Sequence, residues 1–266
     1  TPHKKVEIKL EKPFVATLNR KKLGEWMLKE AKKAGANVVF NSPATKIEKN
    51  YIVTKKERIS FDNLVGADGS YSLVRRSLGL SERVGIGIQY WTKQKFKDME
   101  IHFDVDKFGP WYSWIAPYDN VTSIGTAADP KLISSEKLKK SLDIWCSEKN
   151  IKISSSKFEG AAINYDYKGY KFKNKYLIGD AAGFASSLTG EGIYFAMVSG
   201  EDVAKMIINK KHKPELINKI LDIKKKHEEI LYFFKMSKIF DKAGHDLFLS
   251  LLKFKFFDKE IIDLVG

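Results

Sequence analysis

Residues 176–207 read YLIGDAAGFASSLTGEGIYFAMVSGEDVAKMI, and no other stretch restricts the fold as tightly. The run "KYLIG" has the make-up of a parallel strand covered on both faces. It ends at Asp180, and open α/β sheets place their ligands at the carboxyl ends of such strands. Ala181, Ala182 and Gly183 follow, small enough for backbone to approach a flat or chain-like ligand. Gly190 and Gly192 then flank Glu191 and open a helical stripe of Ile193, Ala196, Met197, Gly200, Val203, Ala204 and Ile207. The amino end of a helix offers free N–H groups and partial positive charge. A Gly-Asp pair alone reads as turn geometry. Strand, Gly-Asp, small loop and Gly-Glu-Gly helix start in succession read as a binding crossover for a ligand with a sugar, phosphates and a ring system.

A second motif, LVGADGSYSLVRRSLGL, covers residues 64–80. A buried strand meets Ala67-Asp68-Gly69-Ser70, and a helix carrying Val74 and Leu78 follows. Ser70 or Ser72 caps that helix, and Arg75 lies one turn inside. Around these motifs, residues 6–18 suggest two short strands separated by Pro13. Asn19 caps a helix with the stripe Leu23, Met27, Ala31 and Ala34, and Gly35 ends it. "ANVVF" reads as a buried strand, and residues 44–62 as strands turning at polar residues. Residues 84–129 are aromatic and β-branched runs broken by turns, the texture of an antiparallel sheet. Residues 134–149 form a helix with Leu138, Leu142 and Trp145 on one face, and "SKFEGAAINYDY" returns a strand. After Lys213 the chain reads as helical to its end.

Composition narrows the classes. With 43% apolar content, 266 residues bury a sizeable core. No apolar run approaches the roughly 18 residues of a membrane span. A single cysteine, Cys146, excludes an internal disulfide framework and fits a reducing, cytoplasmic setting. The five histidines show no metal-ligand spacing. The net charge of +14 is mostly dispersed lysine, a solvated surface; no nucleic-acid motif accompanies it. An anionic membrane surface is the other partner such charge suits.

Taken together, the two motifs resemble those of the flavoprotein hydroxylase-like superfamily. Its members hold FAD with an early Gly-x-Gly-x-x-Gly loop, an Ala-Asp-Gly segment and a Gly-Asp-Ala segment. Within it, GDAAGFASSLTGEGIYFAMVSG is most similar to the geranylgeranyl reductases. NRKKLGEWMLKEAKKAGANV resembles their Asp-Arg helix, and WYSWIAPYDNVTSIG their Tyr-x-Trp-x-Phe-Pro sheet motif. The resemblance runs from about Arg20 through the carboxy-terminal helices. It implies that Arg20 and the Ala44 backbone meet FAD on its nucleotide side, and that Asp68 supports the phosphate region. Asp180 would meet the ribityl or pyrophosphate part, while Gly190, Gly192 and Ile193 come against the ring. Two departures fall toward the substrate: Ala116 stands where the family has Phe, and Asn164 where it has Pro.

The glycine-rich phosphate loop is the largest departure. The two Gly-x-Gly pairs, Gly85/Gly87 and Gly190/Gly192, are followed by Tyr90 and Phe195 where a third glycine belongs. In the family that loop precedes the Arg20 helix. Thr1 is therefore expected to begin inside the family fold, and the chain as given to bind FAD weakly or not at all.

The resulting expectation is a mixed α/β fold. An incomplete Rossmann-like FAD unit (1–80 and 176–212) interleaves with an antiparallel substrate sheet (81–175), and helices follow (213–266). The implied activity is FAD-dependent reduction of carbon–carbon double bonds in isoprenoid or prenyl-lipid chains. Tyr90, Trp91, Trp111, Tyr112 and Trp114 are the candidate substrate wall, with core packing as the competing reading. A flavin monooxygenase or halogenase is the alternative enzyme, and a non-catalytic membrane- or partner-binding remnant the alternative class. The segments ILYFFKMSKIF and LFLSLLKFKFF suggest reversible docking at a membrane surface, or core helices.

Overall fold

Asn19 opens the first helix by accepting a hydrogen bond from the Lys22 N–H at 3.1 Å, and Gly35 leaves it at φ 92°. The structure, a computed structural model, describes residue 7 and residues 17–81 and 83–236, the side chains of 233–236 excepted. That helix is α1 (Arg20–Lys33). It leads into β1 (Ala44–Ile47), β2 (Tyr51–Thr54) and β3 (Arg58–Ser60), a small antiparallel sheet. β4 (Leu64–Gly66) and α2 (Leu73–Ser77) come next. Then follow β5 (Val84–Thr92), β6 (Glu100–Phe103), the short α3 (Val105–Phe108), β7 (Tyr112–Pro117) and β8 (Thr122–Ala128). α4 (Ser135–Glu148) and β9 (Lys157–Asn164) complete that region. The described residues end with β10 (Lys171–Phe172), β11 (Lys175–Leu177), α5 (Gly179–Ala182), α6 (Ile193–Ile208) and α7 (Glu215–Met236).

The largest sheet has the order β6-β7-β8-β5-β9 and is antiparallel throughout. Strand alternation divides β5 between two faces. Ile88 and Tyr90 pack in a core with Ile124, Leu138, Leu142 and Trp145. Gly85 and Gln89 face the other way, into a cavity. β8 tolerates burial on both faces because its residues are small: Gly125 lies under Trp114, and a Cβ there would stand 2.2 Å from the indole.

A second core joins the smaller parallel pair to the helices. β11 runs parallel to β4, and Val74, Leu177, Phe184, Phe195, Val203, Ile217 and Ile220 close around them. This parallel pair carries both sequence motifs to one end of the sheet. A mixed fold of helices and antiparallel sheets, with one parallel strand pair and a strand-to-helix crossover, is the observed class.

Several expectations need correction. Residues 36–40 are not a strand, and Val39 and Phe40 are 63% and 59% exposed. A strand must satisfy its backbone groups against a neighbour, and no described strand pairs with this segment. α1 buries none of its stripe. β4 is buried only at Gly66, since it pairs on one side with β11.

On α6 the buried residues are Phe195, Ser199, Asp202, Val203 and Met206, while Met197 and Ala204 are exposed. The inward face is partly polar. Ser199 Oγ accepts from the Gly179 N–H at 3.0 Å, and Asp202 accepts from the Ile217 N–H at 2.8 Å. The strands expected over residues 6–18 fall almost entirely outside the described residues, as do LFLSLLKFKFF and most of the ILYFFKMSKIF side chains. No helix among the described residues is long and apolar enough to cross a membrane.

Candidate functional site

The crossover from β11 to α6 forms the floor of the site. Asp180 sits in the first turn of α5, where its carbonyl accepts from Asn164 Nδ2 at 2.8 Å. Its Oδ2 accepts from Ser70 Oγ at 2.9 Å, so the two motifs meet in one hydrogen bond. Burial raises the Asp180 carboxyl above its ordinary range, opposed by the Ser70 bond and by the charges of Arg20 and Lys224. Oδ1 faces the start of α6, where a Cβ on Gly192 would come within 3.0 Å of it. No side chain caps α6, which leaves its amino end to a ligand.

Arg75 holds this floor from behind. Its side chain is fully buried and donates to the carbonyls of Ser81 (2.8 and 2.9 Å), Asp166 (2.6 Å) and Ala181 (3.4 Å). The planar guanidinium can serve several carbonyls at once, which an ammonium could not do in this geometry. Asp68 acts locally, accepting from the N–H groups of Leu73 (2.7 Å) and Val74 (3.3 Å) at the start of α2. Ser72 caps the same helix by accepting from Arg75 N.

The loop of residues 183–192 rises from this floor. Gly183 adopts φ 80°, and a Cβ there would meet the Asp166 carbonyl at 2.4 Å. Ser186 Oγ accepts from the N–H groups of Leu188 (3.1 Å) and Thr189 (2.9 Å), leaving its own proton for His227 Nδ1 at 2.8 Å. From the sheet, Trp111 Nε1 donates to the Ser187 carbonyl at 3.1 Å and the Tyr112 hydroxyl to the Thr189 carbonyl at 2.8 Å. Burial pushes the Tyr112 phenol up to about 12, so it stays a donor.

Between loop and sheet lies a cavity of about 340 Å³, walled by Trp111, Tyr112, Trp114, Tyr118, Ile163 and Leu188 among others. Among the described residues no lysine, arginine, aspartate, glutamate or histidine lines it, although 30% of the chain is charged. Several of its polar groups are tied up locally, whereas Ser187 Oγ is buried in the lining without a hydrogen-bond partner among the described residues. Trp114 Nε1 donates to Ser123 Oγ, which donates to Gln89 Oε1. Tyr165 donates to Asp129, which also binds Arg83. Burial would raise Asp129, but the Lys131 N–H, Arg83 and Tyr165 together hold it low.

Asp180 Oδ1 faces Gly192 at the start of α6, and Gly190 lines the cavity with Trp111, Tyr112 and Trp114; Asp180, Gly192 and Ile193 are not among the residues that line it. Arg20 begins α1, exposed, within electrostatic reach of Tyr118 and Asp180. Ala44 is the exposed first residue of β1. Tyr90 is placed differently from the expectation. It lies on the opposite face of the sheet, its hydroxyl on Asp143 at 2.7 Å, because adjacent strand residues point to opposite sides. Trp91 stands beside the cavity, bonded to Glu159 and edge-on to Tyr118. Sequence reading missed Lys224, His227 and the hydrogen bonds that tie Ser70 and Asn164 to Asp180. The available signal was a lysine and a histidine three apart on the face of α7 that also carries Ile217 and Ile220.

No family model matches the chain. It is 28% identical over 207 residues to an uncharacterized protein of Methanosarcina barkeri, covering 74% of this chain and 53% of that one. A geranylgeranyl diphosphate reductase of Arabidopsis thaliana is 24% identical, over 74% of this chain and 48% of its own. A digeranylgeranylglycerophospholipid reductase of Methanocaldococcus jannaschii is 25% identical, over 91% and 69%. The chain thus spans about half the length of the first two relatives. Among solved structures, a geranylgeranyl bacteriochlorophyll reductase-like protein of Thermoplasma acidophilum matches with TM-score 0.63 and 20% identity, over 82% of this chain and 62% of that one. A flavin-dependent halogenase, CmlS, matches at TM-score 0.56 and 18% identity, over 82% and 46%. The chain is similar in sequence to the geranylgeranyl reductases and has the fold of the flavin-dependent oxidoreductases.

Proposed function

We propose that the chain belongs to an FAD-dependent oxidoreductase that saturates carbon–carbon double bonds in isoprenoid chains. The observation that carries this reading is an aromatic-walled cavity, uncharged among the described residues, one wall of which (residues 186–190) leads in sequence into the uncapped amino end of α6. The residues fit a flavin. Asp180 offers an acceptor, Gly192 leaves room where a side chain would collide with Asp180, and the α6 N–H groups suit negative charge on a ring. Bound FAD, once reduced, supplies hydride to one alkene carbon while a proton reaches the other.

The chain's own residues bind, orient and exclude water. Asp180, held by Ser70 and Asn164, fixes the sugar-chain side, and the backbone of Gly192 and Ile193 supports the ring. Trp111, Tyr112 and Trp114 wall the opposite side with apolar surface. An alkene offers no charged handle, so a cavity with no charged side chain among its described residues suits a substrate placed mainly by shape and burial. On this reading residues 81–175 form the substrate side, 17–80 and 176–212 the flavin side, and 213–236 a helical support.

The test uses a flavin-loaded form, reduced anaerobically and given geranylgeranyl diphosphate or a prenyl-chain phospholipid. Products that gain a hydrogen pair per double bond support the reading. Intact substrate with every prenyl chain offered, from a protein shown to hold reduced flavin, refutes it. The match to a halogenase fold supports a second reading, in which oxygen and halide yield a hydroxylated or halogenated product instead.

A further inference from the structure

α7 presents two wholly enclosed titratable side chains to the back of the site. His227 is 0% exposed and meets Ser186 Oγ, while Lys224 is 3% exposed. The Lys224 ammonium donates to the Ala185 carbonyl at 2.8 Å and to the Tyr165 carbonyl at 3.1 Å. These carbonyls belong to two separate walls of the cavity. Tyr165 follows β9 and lines the cavity, and Ala185 precedes Ser186 in the loop that Trp111 and Tyr112 grip from the sheet.

No carboxylate among the described residues lies within ion-pair distance of Lys224. Charge-assisted bonds to carbonyls hold it, and such bonds are roughly twice as strong as those a neutral amine makes. The charged groups around it are Glu228 on α7, Asp166 beyond β9 and Asp180 on α5. Asp166 is itself engaged by Arg75 of α2 and by Lys168. Burial outweighs the pull of these acids and brings the Lys224 amine down to about 8.

We propose that Lys224 is a positioning residue: as an ammonium it clamps the Tyr165 and Ala185 carbonyls together and sets loop 185–190 against Trp111 and Tyr112, and loss of its proton loosens that loop. The clamp deepens the proposed function by regulating the same site, but it exists whether or not flavin binds.

The Trp111 indole N–H, bonded to Ser187 in this loop, is the reporter. In the ¹⁵N-labelled 266-residue chain its resonance, assigned through Trp111→Phe, is followed from about pH 6 to about pH 10. The expected result is a shift with midpoint at about 8, the value set for Lys224. Lys224→Met should show the high-pH position throughout, without titrating. His227→Gln should leave the midpoint in place. A resonance that stays still while circular dichroism reports an intact fold overturns the proposal. So does an unchanged midpoint in Lys224→Met, or one abolished by His227→Gln. If Lys224→Met fails to fold, the side-chain ¹³Cε titration of Lys224 in the unaltered chain decides. A midpoint matching that of the Trp111 indole supports the clamp, and an ordinary lysine midpoint of about 10.4 removes it. Parallel titration with FAD separates the two readings: a titrating indole in a form that carries a glycine-rich phosphate loop yet binds no flavin leaves the clamp standing and sinks the proposed cofactor.

Discussion

Gly125→Ala tests whether the cavity wall is built as described. The new Cβ would lie 2.2 and 2.6 Å from Trp114 ring carbons and 2.6 Å from the Ile88 carbonyl. Ordinary contact begins near 3.4 Å, so the indole has to move by more than an ångström or the β5–β8 pairing has to open. Overpacking of this kind costs about 1–3 kcal/mol. Movement of Trp114 also breaks its 2.9 Å bond to Ser123, worth about 1 kcal/mol. The lower entropy of an unfolded chain carrying alanine offsets up to about 1 kcal/mol. The net expectation is a loss of about 1–3 kcal/mol in urea unfolding, with the Trp114 indole resonance displaced and the cavity narrowed. A variant within about 0.5 kcal/mol of the parent, with that resonance unmoved, would refute the packing argument.

In a flavin-competent form, Asp180→Ala should weaken FAD binding by about 1–3 kcal/mol, and Gly192→Val should impair it by crowding Asp180 and the approach to α6; unchanged titration curves for both would misplace the flavin. Arg75→Ala should cost about 3–5 kcal/mol, because four carbonyl contacts and the Asp166 carboxylate lose a buried partner; a loss under about 1 kcal/mol contradicts the role given to it. Lys224 shapes the pH dependence of stability. Its folded value of about 8 lies below the unfolded 10.5, so the unfolded chain binds the extra proton between them and stability rises with pH across that window. The rise amounts to at most about 3 kcal/mol, and below pH 8 the cost of burying the cation is fully present. Subtracting the Lys224→Met curve isolates it from Cys146, whose thiol burial pushes up to about 12 and whose contribution falls as pH rises; a flat difference between the curves would contradict this.

Much of this architecture was legible in the chain. Asn19 caps the helix it precedes, and of the two serines offered for α2 it is Ser72 that does so, since a side-chain acceptor three residues before an orphan N–H is a local event. The antiparallel texture of residues 84–129 and the strand–Gly-Asp–helix crossover were legible for the same reason: alternation and turn chemistry act over a few residues. Tertiary structure alone decided which face each element turns inward. Tyr90 and Gln89 are neighbours on β5, yet one joins the core under α4 and the other the cavity. Residues 36–40 have a strand's composition and pair with no strand among the described residues. α6 buries Ser199 and Asp202, which hydropathy counts as surface, because they bond to Gly179 and Ile217 in other elements. Lys224 and His227 reach the loop after Gly183 from some 40 residues away in sequence. Periodicity records how a segment folds upon itself. Burial, pairing and the enclosure of a charge depend on contacts with distant segments, and only the assembled chain sets those.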